Sequence, residues 1–171
     1  MKKLLIFVLV LTLAGCGFRL RGTADLPFSS LYVPGATGGI ALDLARNIRA
    51  GTNAKVVSDA KEADAVLQFT SETREKEILS LTGAGRVREF RLHYKVGFRV
   101  HDGKGNDYLP QSTLELTRDV SFNDADVLAK ETEEQLLYRD MQGDMVQQIM
   151  RRLAAAQKPA ENPAAAQKPK T

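Results

Sequence analysis

Phe90-Arg91-Leu92-His93-Tyr94-Lys95-Val96-Gly97-Phe98-Arg99-Val100-His101 is the stretch that decides the fold. Its even positions are all apolar or aromatic, and its odd positions hold three arginine or lysine side chains around His93, Gly97 and His101, beginning at Arg91. Successive side chains of a strand point to opposite faces, whereas helical spacing would scatter both sets around the axis. The stretch therefore reads as a long strand with one buried face and one basic face. Downstream, Asp102 to Asp107 reads as a turn, after which Leu114, Leu116, Val120 and Phe122 alternate with Thr113, Glu115, Thr117, Asp119 and Ser121. Two such runs joined by a short polar loop pair antiparallel. Arg118 falls on the apolar parity of its strand, so it must snorkel, lie beyond the helix cover or meet an anion.

Upstream, the apolar run Ala65 to Phe69 leads into a polar extended stretch, Thr70 to Glu77, and a hairpin turns around Gly83-Ala84-Gly85. Ser30 to Pro34 is a short β-prone run, Ile40, Leu44 and Ile48 mark a helix ending near Gly51, and Val56-Val57 is a short strand candidate. Asn123 or Asp124 offers an N-cap, and Tyr138, Met141, Met145, Ile149 and Leu153 recur at helical spacing toward Arg151-Arg152. The expectation is an α+β fold: a four-stranded, mostly antiparallel sheet with two helices packed on one face, in the order β-α-β-β-β-α. Residues 16–154 form this single domain. Residues 155–171 are an Ala/Lys/Pro-rich tail, with Ala-Ala-Ala-Gln-Lys-Pro at 154–159 and again at 164–169, and are expected to be disordered.

The 171 residues carry 24 lysines and arginines against 21 acids. Without Lys2, Lys3 and the tail from Ala155 the balance is 19 to 20, so bulk charge gives no argument for nucleic acid. A single cysteine excludes an intrachain disulfide and any Cys-based zinc site. His93 and His101 lie about 26 Å apart on one strand, too far to share a metal. There is no Gly-x-Ser-x-Gly, and Gly83-Ala84-Gly85 lacks the third glycine and following helix of a dinucleotide loop. Glu131, Glu133 and Glu134 suit the N-terminal end of a helix dipole better than acid–base work. No catalytic residue, cofactor or metal is expected. Charge is nevertheless uneven: residues 86–104 hold six Lys/Arg and two acids, while 119–144 hold eight acids and two bases. That polarity suits either a solvated sheet face or an anionic ligand, for which arginine and lysine offer charge-assisted contacts.

Met1-Lys2-Lys3, the apolar run Leu4 to Leu13 and the small Ala14-Gly15 make residues 1–15 a signal peptide, too short to span a bilayer stably. Leu13-Ala14-Gly15-Cys16 resembles the bacterial lipoprotein box. That resemblance implies acylation of Cys16, with anchoring by more than one acyl chain, and Gly17 in place of an aspartate implies the periplasmic face of the outer membrane.

The lipobox, Cys16-Gly17-Phe18-Arg19-Leu20-Arg21-Gly22, the basic long strand, Arg118-Asp119-Val120-Ser121-Phe122-Asn123 and Leu128-Ala129-Lys130-Glu131 occur in an order that resembles the lipopolysaccharide-assembly lipoprotein family, LptE. The resemblance covers roughly residues 1–153. It implies a non-enzymatic partner of the outer-membrane barrel LptD, seated in it as a plug, needed for its assembly, and binding lipopolysaccharide for delivery to the outer leaflet. It also implies a lysine at the start of the last helix, matched by Lys130, and a basic residue in the turn before the long strand, for which Arg86 is the nearest candidate and Arg88 follows. Arg118 joins them on parity alone. The competing readings are a periplasmic lipoprotein adaptor of another envelope transport or barrel-assembly complex, and a cell-wall enzyme, for which no carboxylate or histidine constellation is present. If Cys16 carries the anchor, Cys16→Ser yields a soluble periplasmic or an uncleaved product on fractionation; firm membrane attachment of a processed Cys16→Ser chain would refute acylation there.

Overall fold

The computed structural model describes residues 24–159; the leader, Cys16 and the tail from residue 160 lie outside them. In chain order the elements are β1 (Ser30–Tyr32), α1 (Gly39–Gly51), β2 (Lys55–Val57), β3 (Ala65–Leu81), β4 (Val87–His101), β5 (Asp107–Ser121) and α2 (Val127–Ala154), with 3-10 turns at Ala60–Glu62 and Asp124–Asp126. Leu92, Tyr94, Val96, Phe98 and Val100 of β4 are fully buried on one face. Ile40, Leu44 and Ile48 of α1 and Met141, Met145, Ile149 and Leu153 of α2 belong to the same core, at the spacing that keeps one helical stripe inward. Each such side chain contributes about 1.5–3 kcal/mol on burial, so this single stripe dominates cohesion.

The sheet has five strands in the order β2-β1-β3-β4-β5, not four, and it is mixed. β1 pairs parallel with both β2 and β3, whereas β3–β4 and β4–β5 are antiparallel. The fifth strand is the three-residue β2, which α1 returns to lie parallel beside β1 as a crossover unit. A three-residue edge strand has too few alternations to be read as more than a strand candidate. β3 is also far longer than its apolar start suggests. It runs 17 residues, and β1 pairs with it only at Ala65 and Val66, so Thr70 to Glu77 is polar and, like the apolar Ile78, Leu79 and Leu81 that follow, exposed, while the backbone is satisfied from the β4 side.

Asn123 does cap, but it caps the 3-10 turn: its side chain accepts from the Ala125 N–H at 3.2 Å, and α2 begins only at Val127. The turn joining β3 to β4 closes with Thr82 N donating to the Arg86 carbonyl at 2.7 Å, and Gly85 takes φ +76° there, which a side chain would resist. Where β3 gains an extra residue at Thr70, the register steps from Phe69–Phe98 to Ser71–Gly97. A Cβ on Gly97 would stand 2.6 Å from both the Ser71 and the Thr70 hydroxyl oxygens. Gly97→Val is therefore expected to lower stability by about 1–3 kcal/mol in urea unfolding, while Gly83→Ala, whose Cβ meets nothing within 4 Å, changes little. Equal effects of the two would show that the bulge does not need the glycine.

Candidate functional site

The face of the sheet turned away from the helices is not the free basic surface its β4 residues suggest. Arg91 donates twice to Asp119, at 2.7 and 2.9 Å. His93 lies between Glu115, 2.8 Å from Nδ1, and Glu77, 3.4 Å from Nε2. Lys95 reaches Glu75 at 3.2 Å and Glu115 at 3.7 Å, and Arg99 donates to Gln68 at 2.7 Å. The partners come from β3 and β5, whose registers place them directly across from the β4 cations. The Arg91 hydrogen bond holds the Asp119 carboxyl below the usual carboxylate range, and the His93 contact followed by the Lys95 charge does the same for Glu115. Glu75, through its hydrogen bond, and Glu115 raise Lys95. Carboxylates thus compensate Arg91 and Lys95, whereas Arg99 is met, among the described residues, only by a neutral amide. His101 has a structural use as well, its Nδ1 accepting from the Gly103 N–H at 3.0 Å.

The expected phosphate-binding residues separate into two places. Arg86 and Arg88 follow the β3–β4 turn, and the Phe122 N–H donates to the Arg88 carbonyl at 2.8 Å, tying the end of β5 to the start of β4. Lys130, one turn into α2, donates to Ser121 Oγ at 3.0 Å and Glu133 at 2.8 Å, with 22% of its side chain exposed. Arg86 approaches Asp124 at 3.8 Å with 75% of its side chain exposed. Arg88 is exposed and has no carboxylate within ion-pair distance among the described residues. These three cations thus share one end of the sheet. Arg118 does not join them. It faces the helix side, as its parity requires, and meets an anion of the chain itself, Asp144 of α2, at 2.7 Å.

Between the end of the sheet and the start of α2 lies a notch of about 220 Å3 with Phe90, Val120, Phe122 and Val127 lining it and Lys76 and Lys130 at its rim. Phe90 and Phe122 meet edge to face at 5.2 Å between centroids. Lys76 stands 4.4 Å over the Phe90 ring and 2.6 Å from Glu134. Sequence reasoning missed Lys76 because it lies in the polar stretch of β3, although its register opposite Leu92 puts it on the helix side. Around the notch the apolar surface continues through Ile78, Leu81 and Val127 to Leu128, which is 81% exposed. Clustered exposed apolar side chains of this kind mark contact surfaces. With ammonium and guanidinium groups beside them, they can hold an amphiphile that carries phosphates next to hydrocarbon. No described helix is long and apolar enough to cross a membrane.

The profile of the family LptE, lipopolysaccharide-assembly, matches residues 27–153. The LPS-assembly lipoprotein LptE of Photorhabdus laumondii is 27% identical over 153 residues, covering 88% of this chain and 83% of its own. Its Yersinia pestis counterpart is 30% identical over 155 residues, covering 88% and 73%. Among solved structures, the solution structure of lipoprotein B from Nitrosomonas europaea is similar with a TM-score of 0.69 at 45% identity, over 81% of this chain and 91% of that one. The crystal structure of the rare lipoprotein B from Shewanella oneidensis gives 0.63 at 27% identity, over 74% and 92%. With most of the folded chain matched in sequence and in architecture, this protein belongs to the LptE family of lipopolysaccharide-assembly lipoproteins.

Proposed function

We propose that the chain, anchored through an acylated Cys16 at the periplasmic face of the outer membrane, forms a plug-type complex with the LptD barrel, supports its assembly, binds lipopolysaccharide and helps deliver it to the outer leaflet. It does so without catalysis or cofactor, through one domain spanning residues 16–154. The observation that carries the ligand half of this reading is the juxtaposition of Arg86, Arg88 and Lys130 with the apolar notch and the exposed Ile78, Leu81 and Leu128. The notch alone is smaller than an ordinary small-molecule pocket of roughly 300–1,000 Å3, so it suits one part of a larger amphiphile whose remainder lies along the neighbouring apolar surface. The plug half is supported by the ion-paired face of the sheet, since the interior of a membrane barrel is polar and tolerates charged side chains that lipid would not.

The three cations at this end and Arg118, which lies apart from them, differ in what they must give up. Arg88 gives up no ion pair, Arg86 a loose one at 3.8 Å, Lys130 a close one at 2.8 Å, and Arg118 a close one at 2.7 Å. Charged hydrogen bonds contribute about 1.5–3 kcal/mol each, so losing one cation weakens a phosphate contact by roughly ten- to a hundredfold. Lipopolysaccharide binding is expected to fall most for Arg88→Glu and for Arg86→Glu combined with Lys130→Glu, and least for Arg118→Gln. Barrel association should stay nearly intact in all of them. Unchanged ligand binding by the double variant would remove Arg86 and Lys130 from the site.

Affinity purification of the lipidated protein from mildly solubilised outer membranes tests the complex itself. A stoichiometric large barrel protein is the expected companion. Recovery of inner-membrane transporter subunits in its place would establish the adaptor reading.

A further inference from the structure

The described cations divide by location. Those around the hairpin end and the central sheet are mostly paired with carboxylates, among them Lys76, Arg86, Arg91, Lys95 and Lys130. At the opposite end, Lys61 of the turn before β3, Lys104 of the β4–β5 turn and Lys158 beyond α2 converge on one cleft of about 480 Å3. All three are exposed, and among the described residues none has a carboxylate within ion-pair distance. Five acids share this end: Glu62 and Asp107 are exposed, and the other three, though still charged, spend their oxygens on the chain's own N–H groups. Asp64 accepts from the Ser29 and Ser30 N–H groups, Asp102 from Lys104 and Asn106, and Asp59 from Lys61. Phe28 and Tyr108, edge to face at 5.4 Å, also line the cleft, and Tyr108 is only partly buried. A ring with an apolar body and a polar tip is the side chain that favours the headgroup level of a bilayer.

The polypeptide enters the fold at this same end. Ala24 bridges to Thr52 just past α1, and Pro27 to Ser29 form part of the cleft wall. Seven residues separate Cys16 from Ala24, a reach of at most about 28 Å when fully extended. The hairpin tip lies a β4 length away, about 50 Å at 3.3 Å per residue. A lipid at Cys16 therefore holds the lysine end, and not the tip, against the membrane.

We propose that this end of the domain is a docking surface for an anionic phospholipid bilayer, with the Lys61, Lys104 and Lys158 ammonium groups over the headgroup phosphates. This rests on the anchor at Cys16 proposed above and assigns a second, protein-borne contact to the same membrane. Lysines at a bilayer surface act through its negative potential, which attracts each one separately and is screened by salt.

The test uses the mature chain bearing Cys16→Ser, so that no acyl chain contributes, in co-sedimentation with vesicles of phosphatidylcholine alone or with added phosphatidylglycerol. Binding is expected only with the anionic lipid and is lost at high salt. Lys61→Gln, Lys104→Gln and Lys158→Gln together should weaken it roughly a hundredfold, with unchanged melting because no ion pair is broken. Arg139→Gln, an exposed cation of mid-α2, should leave it unchanged. The proposal is overturned by equal binding to neutral vesicles, by a triple variant that binds like its parent, or by an equal loss in Arg139→Gln, which would mean diffuse charge. A lysine-dependent dimer without vesicle binding would assign the cleft to a second copy and overturn it too. Whether Cys16 is acylated is read separately, by membrane fractionation of the native chain, so the two failures are distinguishable.

Discussion

Burial of one face of β4 against α1 and α2 sets the terms for every other part of the molecule. The pleat leaves no freedom: once Leu92, Tyr94, Val96, Phe98 and Val100 point inward, Arg91, His93, Lys95 and Arg99 must point outward. A slip of one residue against either neighbour would put arginines under the helices, at a desolvation cost no core contact could offset. The register is thus fixed from the apolar side. The polar side then has to be built to match, which β3 and β5 do by placing Glu75, Glu77, Glu115 and Asp119 opposite the cations. Exposed pairs of this kind contribute only about 0–1 kcal/mol each, so cohesion stays with the core.

The helices are joined to the sheet by more than apolar contact. Arg74 lies over the rings of Tyr94 and Tyr138 and donates to Gln142, which in turn donates to Asp43 of α1. The Tyr138 hydroxyl donates to the Glu75 carbonyl. On the other flank Arg118 reaches Asp144, so α2 is held by cations from β3 on one side and β5 on the other. This explains how a helix whose first turns carry little buried surface still keeps Lys130 at a defined place beside Ser121.

Much of this was legible in the chain because β4, β5 and α2 each repeat their period many times. The parity of Arg118 likewise announced an unusual environment, which proved to be Asp144. What could not be read was set by partners distant in sequence. β2 is too short to show a period and exists because α1 returns it beside β1, and the polar run from Thr70 onward becomes strand because β4 satisfies its backbone. The neutralisation of the basic face was hidden for the same reason, since each compensating carboxylate lies on a different strand. Arg86, Arg88 and Lys130 were named through the resemblance, and only the fold brings them to one end. Lys76 and the lysine end emerged from three-dimensional placement alone.

The outer edge of β5 bears on how the chain avoids pairing with copies of itself. A 15-residue strand with no neighbour on one side among the described residues offers a row of unpaired backbone groups, the usual starting point for edge-to-edge polymerisation. Here Pro110 removes one N–H, and Glu115, Arg118 and Asp119 crowd charge into the distal half. An incoming strand would have to bury or match those charges, which a random copy in extended conformation does poorly. The strand thus carries in its own sequence a safeguard against edge-to-edge pairing that would otherwise fall to a chaperone.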